Sequence, residues 1–570
     1  MALSKADLSE NWRISYYFRD GKGEQNTPNK VMENRVLPEF WFDLPPFAKI
    51  IYTRQFVIEK KANFVGLYFD RLESPAEIFI NDKVVYQHEG NQANFSVEIT
   101  DYIQFNTKNQ IKIITRPNGR DGRIRGRVDL LSNDQEISAP LAYHQQKSLD
   151  YPEWLSNSVI YELYVRAFSK SGDFQSVIQK LDYLQELGIN CIWLMPIFPV
   201  GEKNRKGSQG SPYSIRDFKS VNPEYGDQRD LKELVKQAHV RDMKIILDIA
   251  CNHTAWDNDL TDEHPEWFTR DHKDDIIHPP HTDWYDVADL DFNNPEVRKY
   301  MLDVLLYWIK NFDIDGYRMD VAEFIPLDFW ENALEEMQKI KSDILMLAEG
   351  DHPQLHSKAF HLSYAWNTRQ SLIRVLNYEQ PLKAFQRVVE HEINIYPKNT
   401  LRMRFSENHD LERSLQVFGK EKSKQAALLS FTIPGVPMIY AGQEIGAKEN
   451  PSLFDKDSIK WKQKDAQFIK FYQKLINLRR NYSAFAQGEI RFKTNSEDES
   501  VLTFLRSVDD EKFIIVANIS DQPRLVNCMA GLSVRLKNFY KVLGNSRIYR
   551  VINGQVAVHI PAYGYGIYKI

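Results

Sequence analysis

The chain is 570 residues long, more than one hydrophobic core usually supports, so two or three domains are expected. Hydrophobic residues make up 42% and charged residues 26%, the balance of a water-soluble globular protein. A net charge of −5 supplies no basic field for a nucleic-acid partner, and no apolar stretch is long enough to span a bilayer, so both partners are excluded. The three cysteines, Cys191, Cys251 and Cys528, are too few for a disulfide framework and lack metal-ligand spacing. The opening MALSKADLSENW has no apolar signal core, so a cytoplasmic protein is expected, or a periplasmic or secreted one if a leader has been removed.

In chain order, the first pattern has period two. KIIYTRQFVI (49–58), NFVGLYFDRL (63–72), AEIFINDKVVY (76–86) and NQIKIITRP (109–117) read as strands, with Asn81-Asp82 as a hairpin turn. No helical period interrupts them, which predicts an N-terminal β-sandwich over residues 1–130. RPNGRDGRIRGRV (116–128), rich in Gly and Arg, reads as solvated linking sequence, and the linker is set at 131–155.

After residue 156 short apolar runs alternate with amphipathic helices. VIYELYVRAF (159–168) precedes a helix at 174–188, NCIWLMPIF (190–198) one at 230–242, and KIILDIACNH (244–253) one at 294–312. IDGYRMDVA (314–322), ILMLAEG (344–350), LRMRFSENHD (401–410) and PMIYAGQE (437–444) continue the alternation, with LSYAWN (362–367) the weakest strand. About eight strand–helix units predict an α/β fold, a (β/α)₈ TIM barrel over 156–483. Residues 254–293, with Pro, Asp and His and no helical period, are expected to form a small inserted subdomain over the barrel mouth. Past residue 484, GEIRF, SVLTFLRS, KFIIVANI and YGYGIYKI predict a C-terminal all-β domain over 484–570.

Polar residues collect where these strands end. Asp248, Asn252 and His253 close the third, Arg318 and Asp320 the fourth, Glu349 the fifth, and His409 and Asp410 the seventh. Any one of them could be a helix cap, but capping does not call for an arginine two residues before an aspartate in an apolar strand. Residues two apart on a strand face the same way, so Arg318 and Asp320 point together into the barrel mouth. The guanidinium is expected to lower the pKa of Asp320 and keep it an ionised nucleophile. Glu349 follows the apolar ILMLA, and a dry environment there would raise its pKa and leave it protonated as a general acid. Two carboxyls with pKa values pushed apart are the apparatus of glycoside hydrolysis, and Asp410 would add a third negative charge near the developing oxocarbenium ion.

At these residues the sequence resembles the α-amylase family, glycoside hydrolase family 13. DIACNH, GYRMDVAEF, AEG and FSENHD look like the family's four conserved blocks, and GINCIWLMPI and GVPMIYAGQEIG look like two more, so the resemblance covers about residues 156–570. It implies Asp320 as nucleophile, Glu349 as acid/base and Asp410 as transition-state stabiliser. It also implies that Arg318, His253, His409 and Asp248 hold the nucleophile or the hydroxyls of a bound glucose, with Tyr213, in SPYSIRDF, stacked under that sugar. On spacing alone Tyr213 reads equally well as a core tyrosine. Asn252 matches one calcium ligand of the family, but the position four after the nucleophile is Phe324, whose phenyl ring cannot ligate a hard cation, so neither metal nor other cofactor is expected. The DV at 320–321 and Phe324 resemble the oligosaccharide-cleaving branch of neopullulanases, cyclomaltodextrinases and oligosaccharide α-glucosidases. The N-terminal segment is similar to the sugar-binding jelly roll of β-galactosidase-type enzymes, which could bind glycan, pair two copies as a homodimer or brace the barrel. No row of Trp stands out in it, which favours the last two.

These readings predict a retaining hydrolase of α-glucosidic bonds in starch-derived glucans or maltooligosaccharides. A transglycosylase of the same family would form the same covalent intermediate, and the sequence does not separate the two. A non-catalytic barrel relative would need missing carboxylates, which this chain retains.

Overall fold

Ten antiparallel strands open the chain in a computed structural model. The structure describes residues 146–529 except 272 and 281, 539–570 except 553, and, nearer the N-terminus, 4–8, 12–18, 30–35, 47–58, 62, 65–69, 72, 74–88, 95–116, 124 and 128–132. Of the linking sequence read at 116–128 and 131–155, residues 117–123, 125–127 and 133–145 lie outside the described residues. The chain divides into two compact units, residues 1–147 with 352–354 and 395–398, and the remainder.

In the first unit, β1 (Ser4–Asp7), β5 (Val65–Phe69), β8 (Phe95–Glu98) and β10 (Val128–Ser132) form one sheet in the order β1-β10-β5-β8. A second sheet holds β2 (Trp12–Phe18), β3 (Lys30–Arg35), β4 (Phe47–Val57), β6 (Ala76–Ile80), β7 (Lys83–His88) and β9 (Lys108–Thr115) in the order β3-β2-β4-β9-β6-β7. Alternation sends Ile78, Ile80, Ile111 and Ile113 from one sheet against Leu67, Phe69, Val128 and Leu130 from the other, in a single core. Asn81 and Asp82 both take positive φ, 50° and 63°, which is the backbone a two-residue hairpin between right-twisted strands needs.

The second unit is built on a closed parallel barrel of β11 (Ile160–Leu163), β12 (Cys191–Leu194), β13 (Lys244–Ile249), β16 (Gly316–Met319), β17 (Leu345–Ala348), β18 (Leu362–Tyr364), β19 (Leu401–Arg404) and β20 (Val436–Tyr440). All eight strands read from the sequence are present, LSYAWN among them, although each is shorter than its apolar run. Apart from Lys244 every residue of these strands is buried, because helices cover the outside and side chains fill the inside. The helix Gln228–His239 starts at a capping box, in which Asp227 accepts from Arg229 N and Asp230 N while Asp230 reaches back, and it turns Leu231, Leu234, Val235 and Ala238 inward. The helix expected at 174–188 is two pieces, Phe174–Ile178 and Leu181–Leu187. A tight bond from Lys180 N to Val177 O marks the break. Between β13 and the long helix Pro295–Phe312, the chain makes an excursion carrying the antiparallel pair β14 (His253–Ala255) and β15 (Val287–Asp289).

The chain ends in β21 (Glu489–Phe492), β22 (Val501–Val508), β23 (Glu511–Asn518), β24 (Arg524–Met529), β25 (Tyr540–Gly544), β26 (Arg547–Ile552), β27 (Gln555–Ile560) and β28 (Tyr565–Lys569). They form sheets ordered β21-β22-β23-β28-β25 and β24-β27-β26. Among the described residues no helix is long and apolar enough to cross a membrane.

Candidate active site

Because the barrel strands run parallel, side chains at and just past their C-terminal ends share one rim, where loops leave room for a ligand. Arg318, the third residue of β16, is wholly buried there. Its Nη1 donates to Asp248 Oδ1 at 2.9 Å and to Asp320 Oδ1 at 2.6 Å, and its Nη2 stands 2.8 Å from Glu349 Oε2. Its Nε donates to the Tyr364 hydroxyl at 3.2 Å, and its plane is flanked by the rings of Trp193, Tyr213 and Tyr364. One guanidinium thus collects carboxyls from three neighbouring strands, and this is what places opposite charges inside an apolar segment. Asp248 is further held by Trp193 Nε1 at 3.1 Å and by the Tyr213 hydroxyl at 3.0 Å.

Val321, directly after Asp320, sits at φ 38°, ψ 48°, a left-handed conformation that is costly for a β-branched residue, about 1–3 kcal/mol. Its N–H donates to Glu349 Oε2 at 2.9 Å, and Ala322 N–H donates to Glu349 O at 3.1 Å, so two bonds hold the strained turn against the neighbouring strand end.

Burial decides the acids' protonation. It pushes Glu349 up to about 7, against the opposing pull of Arg318. It also pushes Asp320 up, to about 6, so the guanidinium does not hold that carboxyl below the usual range as the pairing with Arg318 suggested. Desolvation outweighs the pairing because Arg318 is shared with Asp248 and Glu349, and because Asp248 and Asp410 add like charge. Glu349 still takes the proton first.

The remaining predicted residues come to the same place. Asp320, Glu349, Asp410, His409, Tyr213 and His253 line one cavity of about 200 Å³. Asp248 and Arg318 lie beneath it, fully buried. Burial lowers His253 to about 4, so its ring is neutral near pH 7, with Nε2 donating to Tyr213 O at 3.1 Å. Burial works against the charged form of His409 too, but the carboxylates of Asp410 and Glu162 override it and hold the imidazolium well above its ordinary range. Its Nδ1 donates to Glu162, and its Nε2 faces Asp410 Oδ2 at 3.1 Å and the Tyr213 hydroxyl at 2.8 Å. His409 in turn keeps Asp410 below the usual carboxylate range in spite of burial. The Tyr213 ring stacks on His409 with centroids 5.5 Å apart.

Glu162 was not read from the sequence. Its signal was there, a single acid within the apolar VIYELYV, fully buried in β11. Lys206, Trp284 and Asp286 also line the cavity, from loops whose composition gives no hint of it.

The family's calcium does not fit these residues. Asn252 is buried with neither side-chain polar atom partnered, but a calcium cage takes about 6–8 oxygens. Among the described residues no group of three or more His, Cys, Asp or Glu converges as a metal site. Phe324, four after Asp320, turns its ring onto Trp284 at 5.7 Å. Prolonged treatment with EDTA is therefore expected to leave both turnover and melting temperature unchanged. A large loss of either, reversed by calcium, would reveal a site formed from other oxygens.

A (β/α)₈ barrel with clustered acids on its C-terminal rim is an enzyme scaffold shared by many chemistries, and comparison with known proteins makes the class particular. The alpha-amylase catalytic domain family matches residues 151–287 and 280–464, and the maltogenic amylase C-terminal domain matches 491–567. The chain belongs to the α-amylase family of glycoside hydrolases. It is 27% identical over 405 residues to alpha-amylase MalA of Haloarcula japonica, covering 68% of this chain and 59% of that one. It is 26% identical over 475 residues to a cyclomaltodextrinase of Geobacillus thermopakistaniensis, covering 75% and 79%. A noncanonic maltogenic alpha-amylase, AmyB from Thermotoga neapolitana, superposes with a TM-score of 0.67 at 30% identity, over 73% of this chain and 99% of that structure.

Proposed function

We propose that the chain is a retaining hydrolase of α-glucosidic bonds in starch-derived glucans or maltooligosaccharides, with the reaction carried by residues 156–483. The names of its relatives, a cyclomaltodextrinase and a maltogenic amylase, support that substrate class. One observation carries the mechanism: a single buried guanidinium holds Asp320 and Glu349 together at a cavity that Asp410 also lines. Two carboxyls on one guanidinium are brought toward the spacing of about 5 Å that a retaining pair uses, rather than the wider gap that admits a water. Asp320 attacks the anomeric carbon. Glu349 gives its proton to the bridging oxygen, and the leaving sugar departs. Glu349, now a carboxylate, takes a proton from the incoming water as it opens the glycosyl ester on Asp320. Asp410, kept ionised by His409, faces the positive charge that develops on the ring.

Proton NMR of maltooligosaccharide hydrolysis tests this reading: the α-anomer should appear first and mutarotate to the β-anomer, and initial release of the β-anomer would contradict retention. The acid pair also sets the pH response. Activity needs Asp320 ionised and Glu349 protonated, so kcat/KM should rise as pH climbs through about 6 and fall as it passes about 7. The cluster shares its protons, so these limbs belong to the whole set of acids. A plateau extending to pH 9 would remove Glu349 from the acid role.

A further inference from the structure

We propose that Glu162 is a positioning residue of the reaction: it balances the charge of His409 from beneath, and so leaves the negative charge of Asp410 free for the sugar ring in the cavity. This role rests on the glycosidase reading above and adds to it a residue out of the sugar's reach.

Glu162 is the third residue of β11, wholly buried and level with Trp193 on β12 and Tyr440 on β20. A carboxylate in such a place is strongly destabilising unless a cation answers it. Its Oε1 accepts from His409 Nδ1, its Oε2 has no hydrogen-bond partner, and among the described residues His409 is the one cation paired with it. Arg318, the other cation beneath the cavity, is taken up by Asp248, Asp320 and Glu349. Asp410 stands on the open side, 46% exposed at its side chain, whereas Glu162 is not exposed at all. Whatever Glu162 does for a substrate, it does through His409.

The contacts fix the protonation of that ring. The Tyr213 hydroxyl has one proton to give, and it donates to Asp248 Oδ2 at 3.0 Å, an oxygen marked as an acceptor by the bond from Trp193 Nε1. Toward His409 Nε2, 2.8 Å away, the same hydroxyl can then only accept, and Asp410 Oδ2, 3.1 Å from that nitrogen, accepts as well. Nδ1 faces a carboxylate on the other side. Both ring nitrogens therefore donate, which only the imidazolium does. The ionisable groups around it agree with this count: burial raises Asp248 against the pull of Arg318 and His409, and burial pushes the phenols of Tyr213, Tyr364 and Tyr440 up, so they keep their protons. A carboxylate, an imidazolium and a carboxylate thus stand in line. Glu162 cancels His409, and Asp410 keeps its negative charge to set against the positive charge that develops on the sugar. Without Glu162, burial works against the charged imidazole and the ring gives up a proton. A bare Nε2 then faces Asp410 Oδ2, lone pair to lone pair, until that carboxyl takes a proton or turns away.

Glu162→Gln keeps the shape and removes the charge. Its kcat on maltoheptaose is expected to fall by about 100-fold with KM within about threefold of wild type, since the charge it supports matters in the transition state and not in binding. The basic limb of kcat/KM should move from about 7 toward about 6, because His409 now loses its proton within that range. A role confined to packing would leave the limb in place. Glu162→Asp, which keeps the charge, should recover at least about tenfold of the lost kcat. Carbon-13 NMR of histidine-labelled enzyme, with the His409 signal assigned by its loss in His409→Gln, reads the ring directly: charged at pH 8 in wild type, neutral there in Glu162→Gln. A neutral His409 in wild type at pH 7 would overturn the proposal without any variant of Glu162. So would a Glu162→Gln enzyme whose kcat stays within about threefold of wild type, or whose basic limb does not move. If wild-type enzyme turns over no α-glucan while its His409 is charged, the glycosidase reading falls and the catalytic part of Glu162 falls with it, but the charge on the ring stands.

Discussion

Asp320→Asn is expected to lower kcat/KM on maltooligosaccharides by at least about 10⁴-fold, some 5 kcal/mol of transition-state stabilisation, while the protein stays folded. The amide oxygen can still accept the bond from Arg318 Nη1 that Asp320 Oδ1 accepts at 2.6 Å, so the cluster keeps its shape. What disappears is the charge that attacks carbon. Stability should move the opposite way from activity. The folded-state pKa of Asp320 is raised by burial, so its contribution to stability is present at low pH and lost as pH rises through about 6. Asparagine never ionises, and the variant should therefore melt higher than wild type at pH 8. Melting curves at pH 5 and 8, read beside initial rates, check both halves. A variant within tenfold of wild-type activity would remove Asp320 from the nucleophile's role.

Arg318→Met is expected to destabilise the fold by about 3–5 kcal/mol at pH 8 and to abolish turnover. It leaves Asp248, Asp320 and Glu349 around a side chain that cannot donate, in a place where water does not compensate. The melting midpoint should fall by about 3–6 °C. The deficit carries a pH signature. All three carboxyls are already raised by burial with the arginine present, and without it they rise further, so their protonated forms stabilise the folded state and ionisation opposes it. The variant should therefore recover some of its loss as pH falls from 8 to 5. A midpoint unchanged at pH 8, or a deficit that grows on acidification, would show that Arg318 is not what compensates these charges.

Both predictions concern residues that sequence reading located but did not weigh correctly. The period-two spacing in DGYRMDVAEF put Arg318 and Asp320 on one face, and that is where they meet. Pairing alone suggested a depressed pKa for Asp320. The structure reverses this, because the same guanidinium serves three carboxyls in a dry site. Glu162 shows a different gap. Its position was visible as an acid in an apolar strand, but its partner His409 lies 247 positions away, and no local pattern connects them. Lys206 and Asp286 lacked even that signal, since an exposed lysine in a Gly- and Ser-rich loop looks like any solvated charge.

The fold divides the same way. Four-residue apolar runs followed by capped amphipathic helices identify a barrel, because strands buried on both faces have to be apolar throughout. In the two β-rich ends, the tight Asn81-Asp82 hairpin was legible. Strands β1 to β3, β8 and β10, and β24 to β27 in the C-terminal sheets, were not, since their alternation is weak and long-range pairing holds them.

The sequence by itself thus determined the barrel, its rim and the residues on it, since those follow from local periodicity and the direction of side chains along a strand. Only the tertiary structure decided which acid keeps its proton, which histidine stays charged and that Lys206 and Asp286 reach the cavity. Desolvation and charge pairing depend on distances between residues far apart in the chain, and folding alone sets those distances.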